Sequence, residues 1–127
     1  MILNKILSIA DVHIFNNKRF EEHEFIIKKI DEFLLKNPQE LILLLGDIID
    51  SKNRLSPEQI VLTRKLYTML SNHSRVAYII GNHDRTLQSD SRLDSLSAIV
   101  NTIENPKYEI VFLQKSELYD LGYNSEN

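Results

Sequence analysis

The sequence predicts an α/β fold with a largely parallel sheet, because strand patterns and helix patterns alternate along the chain. Short aliphatic runs at residues 3–9, 41–45 and 75–80 are typical of buried strands. Between and after them, apolar residues recur at helical spacing, first over residues 19–36 and then from residue 57 and from residue 93. Three strand–helix units in succession favour crossover connections and one mainly parallel sheet.

The first helix pattern includes Ile26, Ile30, Phe33 and Leu34 and stops before Pro38. The five aliphatic residues at 41–45 are too few for a buried helix, and we expect both faces of this strand to be covered.

The second helix has a clear start signal. Ser56 is followed by Pro57 and, three residues on, by Gln59, which is the pattern of a capping box. Ser91 and Asp94 indicate a similar start for a third helix, whose apolar spacing continues to residue 103. Two further short strands are expected at residues 108–113 and 117–121.

Composition limits the classes of protein to which the chain can belong. The 127 residues include no cysteine, so neither disulfides nor thiolate metal sites are possible. The net charge of -3 gives no support for nucleic-acid binding by overall charge. No apolar run approaches the ~20 residues needed to cross a bilayer, and no signal peptide is evident. We therefore expect a soluble protein that is cytoplasmic or otherwise intracellular.

Polar residues follow each of the three predicted strands. Asp11 and His13 follow the first, Asp47 the second, and Asn82 and His83 the third. In parallel sheets, ligands bind at the carboxyl ends of the strands. We therefore expect the three groups to meet at one edge.

The residue types in these groups suit a metal site. Asp11 and His13 are two apart, so in extended backbone both side chains can reach one ion. Asp47 follows Gly46, which permits a tight turn, and its two carboxylate oxygens can bind two different cations. For Asp50, a role in bracing the loop is the better interpretation.

The third group, at residues 81–84, combines an amide, an imidazole and a carboxylate after a glycine. The Asn82 oxygen is a hard, neutral ligand, and His83 can donate a proton near neutral pH.

The other two histidines are explained by structural roles. His23 is expected to face solvent on the first helix, and His73 to lie at the end of the second.

Three motifs in this order, Asp-x-His at 11–13, Gly-Asp-x-x-Asp at 46–50 and Gly-Asn-His-Asp at 81–84, resemble the calcineurin-like metallophosphoesterases. The resemblance covers about the first hundred residues. The stretches at 51–58 and 92–94 are most similar to the SbcD-like DNA-repair exonucleases, which include versions encoded by phages and large DNA viruses.

The resemblance implies a site for two divalent metal ions, with manganese expected and magnesium, iron or zinc as alternatives. Asp11 and His13 would bind the first metal, Asp47 would bridge both, and Asn82 would bind the second. The fold implied is a sandwich of sheets flanked by helices, and residues 1–127 would supply roughly its first half as a truncated domain.

For catalysis, the resemblance implies that His83 approaches the phosphate as proton donor or charge stabiliser and that Asp84 orients it. The family completes its site with later histidines, whereas this chain has none after His83. Three explanations are open: a fragment of a longer reading frame, which we favour, a missing half on a separate polypeptide, or a degenerate remnant without activity.

The function expected is metal-dependent hydrolysis of phosphodiesters, with DNA as substrate. One alternative is a phosphomonoesterase or nucleotide phosphodiesterase acting on small molecules, and another is a non-catalytic interaction module. An ATPase partner subunit and a homodimer are implied by the resemblance alone.

Overall fold

The chain alternates strands and helices as the sequence predicts. The computed structural model describes residues 5–10, 12, 20–46, 48, 56–79 and 95–113. In chain order the elements are β1 (Ile6–Ile9), α1 (Phe20–Lys36), β2 (Leu41–Leu44), α2 (Pro57–His73), β3 (Arg75–Tyr78), α3 (Ser95–Val100) and β4 (Ile110–Phe112). The α/β class is confirmed, and the strand expected at 117–121 lies outside the described residues.

The four strands form one parallel sheet in the order β1-β2-β3-β4. Because each helix connects the carboxyl end of one strand to the amino end of the next, all three helices run against the strand direction. α1 packs on α2 and α2 packs on α3, so the helices form a layer beside the sheet.

The core lies between this helical layer and the sheet. Alternate strand residues point into it, including Ile42 and Leu44 of β2 and Val76 and Tyr78 of β3. On the other face of the sheet, Leu41 and Ala77 are also buried. On that face of the 41–45 run, however, Leu43 is only partly buried and Leu45 is 45% exposed, so the expectation that both faces are covered is confirmed only in part.

α2 begins with the predicted capping box. The Ser56 hydroxyl accepts a bond from the Gln59 backbone N–H at 3.2 Å, and the Ser56 N–H donates to Gln59 Oε1 at 2.9 Å. Pro57 occupies the first turn. Two of the backbone donors that a helix start leaves unpaired are satisfied in this way.

α1 does not bury the whole of its apolar pattern. Ile27 and Leu34 are 4% and 1% exposed and face the core, whereas Ile26 and Phe33 are 43% and 46% exposed. Since the predicted spacing includes Ile26 and Phe33, α1 carries a second apolar face outside the core.

The prediction that the third helix runs to residue 103 is wrong at its end. α3 ends at Val100, and the N–H groups of Thr102 and Ile103 donate to the carbonyls three residues earlier. This tighter turn leads to Asn105, which has a φ of 48° and reverses the chain before β4. Ile103 still packs against the core, which explains its place in the apolar pattern.

None of the described helices is both long enough and apolar enough to cross a membrane.

Candidate active site at the carboxyl edge of the sheet

All six predicted site residues lie outside the described part of the chain: Asp11, His13, Asp47, Asn82, His83 and Asp84. The described residues alone contain no group of three or more His, Asp or Glu side chains that could hold a metal ion. The described residues nearest to them are the ends of β1, β2 and β3 and the two residues that flank Asp47 in the sequence.

The strands that precede the three motifs end level with one another. Ile9 pairs with Leu44, and Leu44 pairs with Tyr78, so the last residues of β1, β2 and β3 form one row across the sheet. Pairing continues one residue further, because Leu45 N–H donates to Ile9 C=O at 2.8 Å and Ile79 N–H donates to Leu44 C=O at 3.0 Å.

The distance from this row to the motifs is short along the chain. Asp11 is two residues beyond Ile9, Asp47 is two beyond Leu45, and Asn82 is three beyond Ile79. An extended chain covers at most about 3.6 Å per residue, so these segments reach roughly 7 to 11 Å. Neighbouring strands are about 4.8 Å apart. The three motifs are thus within reach of a common point.

The residues on either side of Asp47 in the sequence have well-defined surroundings. Gly46 is buried and has a φ of 103°, a backbone conformation that a residue with a Cβ adopts only at a cost. Ile48 is fully buried in the core cluster. The glycine before the aspartate is therefore required by the backbone as well as by the motif.

Tyr78, the last residue of β3, connects this edge to the helical layer. Its ring stacks on Phe112 of β4 with centroids 4.9 Å apart and meets Tyr67 of α2 edge-to-face at 5.4 Å. Its hydroxyl lies 3.1 Å from the Ser97 hydroxyl of α3. Sequence reasoning missed Tyr78, although its place at the end of the strand before the third motif could have identified it.

The helix starts contribute charge to the same edge. The first turns of α1 and α2 follow the carboxyl ends of β1 and β2, and the free N–H groups of a helix start carry a partial positive charge. The first turns also carry carboxylates, Glu21 and Glu22 in α1 and Glu58 in α2, which offset this charge.

The two histidines given structural roles differ in outcome. The expectation that His23 faces solvent is wrong, because His23 is 5% exposed and shares the buried side of α1 with Ile27. His73 is the last residue of α2, as predicted, and its Nε2 lies 2.6 Å from Asp31 Oδ1 of α1. His73 thus joins the two long helices.

Relatives of the chain are found by sequence and by structure. The family model for calcineurin-like phosphoesterases matches residues 4–123. An uncharacterised protein of Acanthamoeba polyphaga mimivirus is 34% identical over 123 residues, which are 94% of this chain and 9% of that protein. The DNA double-strand break repair protein Mre11 of Nanoarchaeum equitans is 39% identical over 85 residues, which are 62% of this chain and 23% of that protein.

Among solved structures, nuclease MPE of Pseudomonas putida superposes with a TM-score of 0.57 at 20% identity, over 91% of this chain and 50% of that one. The likeness supports the fold, and the chain spans half the length of that nuclease and less of the other relatives. With the family match over nearly its whole length, the chain belongs to the calcineurin-like phosphoesterase family.

Proposed function

We propose that this chain is the amino-terminal portion of a two-metal phosphodiesterase that acts on DNA. One observation carries the proposal: the three motifs come directly after three adjacent parallel strands whose last residues form a single row. A two-metal site needs carboxylate, imidazole and amide ligands to converge, and the sheet topology favours such a convergence.

In the proposed site, Asp11 and His13 hold the first metal, Asp47 bridges the pair and Asn82 holds the second. The oxygen-rich ligand set with one imidazole fits manganese, and magnesium, iron and zinc are alternatives. When bound, the metal pair supplies positive charge to the phosphate and a hydroxide nucleophile at neutral pH.

The remaining proposed roles belong to the third motif. His83 donates a proton to the leaving oxygen or stabilises the charge on the phosphate, and Asp84 orients the imidazole.

DNA is proposed as the substrate because one relative, Mre11 of Nanoarchaeum equitans, is a DNA double-strand break repair protein. The net charge of -3 means that DNA contact would depend on the metal ions and local groups rather than on overall charge. We also propose an intracellular location and an ATPase partner subunit.

The proposed set leaves the second metal with two protein ligands, Asp47 and Asn82, and no histidine follows His83 in the sequence. Tight binding of both ions therefore needs further ligands. We propose that residues 1–127 form the first part of the phosphoesterase domain and that a further polypeptide segment completes the site.

Calorimetric titration with manganese tests the ligand assignment. The matched variants are Asp47→Asn, which removes the bridging carboxylate, and Glu104→Gln, which removes an exposed carboxylate after α3. We expect Asp47→Asn to weaken manganese binding at least tenfold and Glu104→Gln to leave it unchanged. Equal affinity in the wild type and Asp47→Asn would refute the site.

Substrate class is tested by incubating the protein with manganese and either linear double-stranded DNA or p-nitrophenyl phosphate. Cleavage of DNA that is lost in His83→Ala supports the phosphodiesterase. Turnover of the monoester alone would refute DNA as the substrate and favour the small-molecule alternative.

A further inference from the structure

The contact between Tyr78 and Ser97 joins the two ends of the segment that carries the third motif. Tyr78 is the last residue of β3, and Ser97 lies in the first turn of α3. Their hydroxyl oxygens are 3.1 Å apart, although the two residues are 19 positions apart in the sequence. The motif at 81–84 lies between them. The hydrogen bond therefore closes a loop that includes Asn82 and His83.

The Tyr78 hydroxyl is held in place by the packing of its ring. The ring stacks on Phe112 with an interplanar angle of 7°, and Tyr67 meets it edge-to-face at 81°. Tyr78 and Ser97 are both buried. A tyrosine side chain has only two torsion angles, so contacts with two other rings leave the phenol little freedom. The packing thus directs the hydroxyl towards Ser97.

The core has no need of this hydroxyl. A phenylalanine at position 78 would keep both ring contacts, and Val76, which packs into the same core cluster, is purely apolar. Burying a hydroxyl costs free energy unless it forms a hydrogen bond. The two hydroxyls therefore provide a directional link between β3 and α3, which apolar side chains at these positions cannot provide.

α3 packs into the core through Ile99 and Val100, which lie in its carboxyl-terminal half. Apolar contacts of this kind are not directional. Ser97 lies nearer the start of the helix, where the chain arrives from the third motif. Its bond to Tyr78 therefore sets where α3 begins relative to the end of β3.

Both ends of the motif segment are then fixed relative to the sheet. On the β3 side, the Ile79 N–H donates to the Leu44 carbonyl at 3.0 Å, so the chain is held to β2 one residue beyond the strand. On the other side, the hydroxyl bond ties the start of α3 to the same strand. Holding the ends of a loop together removes the conformations in which they separate. The bond thus restricts the positions that Asn82 and His83 can take.

We propose that Tyr78 and Ser97 are positioning residues for the third motif, and that their hydrogen bond holds Asn82 and His83 where they act on the metal ions and the phosphate. The inference rests on the proposed function, which assigns Asn82 and His83 to the site. Neither hydroxyl contacts metal or substrate, because both act through the segment between them. Groups that orient metal ligands typically change metal affinity by about 10–100-fold.

Nuclear magnetic resonance of the histidine rings tests the positioning role without any metal. The chain has four histidines, and each ring signal in a spectrum recorded in EDTA can be assigned by substitution. We expect Tyr78→Phe and Ser97→Ala each to shift or broaden the His83 signal and to leave the His73 signal unchanged. Circular dichroism verifies that each variant is folded.

Ser71→Ala is the matched control for Ser97→Ala. It also removes a buried serine hydroxyl, but that hydroxyl donates to the Thr68 carbonyl at 2.9 Å within α2. A loss of stability without loss of positioning should therefore leave the His83 signal as it is in the wild type.

The double variant tests whether the two hydroxyls act as one unit. Tyr78→Phe combined with Ser97→Ala should change the His83 signal no more than either substitution alone, because each of them already removes the bond. Additive changes would mean two independent effects and would contradict the proposal.

Calorimetric titration with manganese measures the consequence for the site. Ser97→Ala should weaken the ion that Asn82 binds about tenfold and leave the ion bound by Asp11 and His13 unchanged. Ser71→Ala should leave both affinities unchanged.

An unchanged His83 signal in both single variants would overturn the proposal, whatever the affinity for manganese. An equal change in Ser71→Ala would do the same, and so would full manganese affinity in Ser97→Ala beside a wild type that binds both ions. If the wild type binds no manganese, the proposed function fails, whereas the ring signals still decide whether Tyr78 and Ser97 position the motif.

Discussion

Replacement of Gly46 by alanine should destabilise the protein at the point where β2 leads into the second motif. Gly46 has a φ of 103° and is buried, so alanine must adopt an unfavourable backbone conformation and place a Cβ in a packed region. Strain of this kind costs about 1–3 kcal/mol. Alanine returns about 0.4–1 kcal/mol by lowering the entropy of the unfolded chain. The net loss of unfolding free energy then lies between ~0 and ~2.6 kcal/mol, with a central value of about 1.3 kcal/mol.

Urea denaturation followed by circular dichroism measures this loss. With a slope of about 1–3 kcal/mol per molar urea, a loss of about 1.3 kcal/mol lowers the midpoint by roughly 0.4–1.3 M. Asn105→Gly is the matched control, because Asn105 also has a positive φ, of 48°, and glycine relieves it. Its midpoint should stay constant or rise. An unchanged or higher midpoint for Gly46→Ala would show that the positive φ carries no energetic cost here.

Three other substitutions should change the unfolding free energy in the same urea assay. Ser56→Ala removes the acceptor for the Gln59 N–H and should cost about 0.5–2 kcal/mol; a loss below 0.2 kcal/mol would mean that the cap is replaced by water. Leu66→Ala empties a fully buried position and should cost about 2–5 kcal/mol, whereas an effect under 1 kcal/mol would contradict its place in the core. Tyr78→Phe removes the contact with Ser97 and should cost about 0.5–1.5 kcal/mol, with a gain in stability as the contrary result.

The order and type of the elements were predictable because their signals are local. The Ser56 cap involves atoms only three residues apart, and the run before Gly46 contains a whole strand. The contact between His73 and Asp31 spans 42 residues and depends on how α1 packs against α2. The spacing of apolar residues within one helix does not indicate which residue of another helix it will contact.

The apolar pattern of α1 shows a second limit. Spacing identified Ile26 and Phe33 as members of an apolar face, but it could not say which of two overlapping faces the sheet covers. The choice of Ile27 and Leu34 depends on the tertiary packing of α1. Likewise, the stacking of Tyr78 on Phe112 follows from the register between β3 and β4, which neither strand specifies alone.

The level row of strand ends also bears on how the chain folds. Every described strand pairs with its neighbour in the chain, and each connection contains a single helix. The sheet can therefore grow in the order of synthesis, and each added strand brings the motif that follows it to an edge already formed. β2 pairs with both β1 and β3. A defect that delays β2 would leave the first motif without its neighbours, so the proposed metal ligands would come together only as fast as that strand pairs.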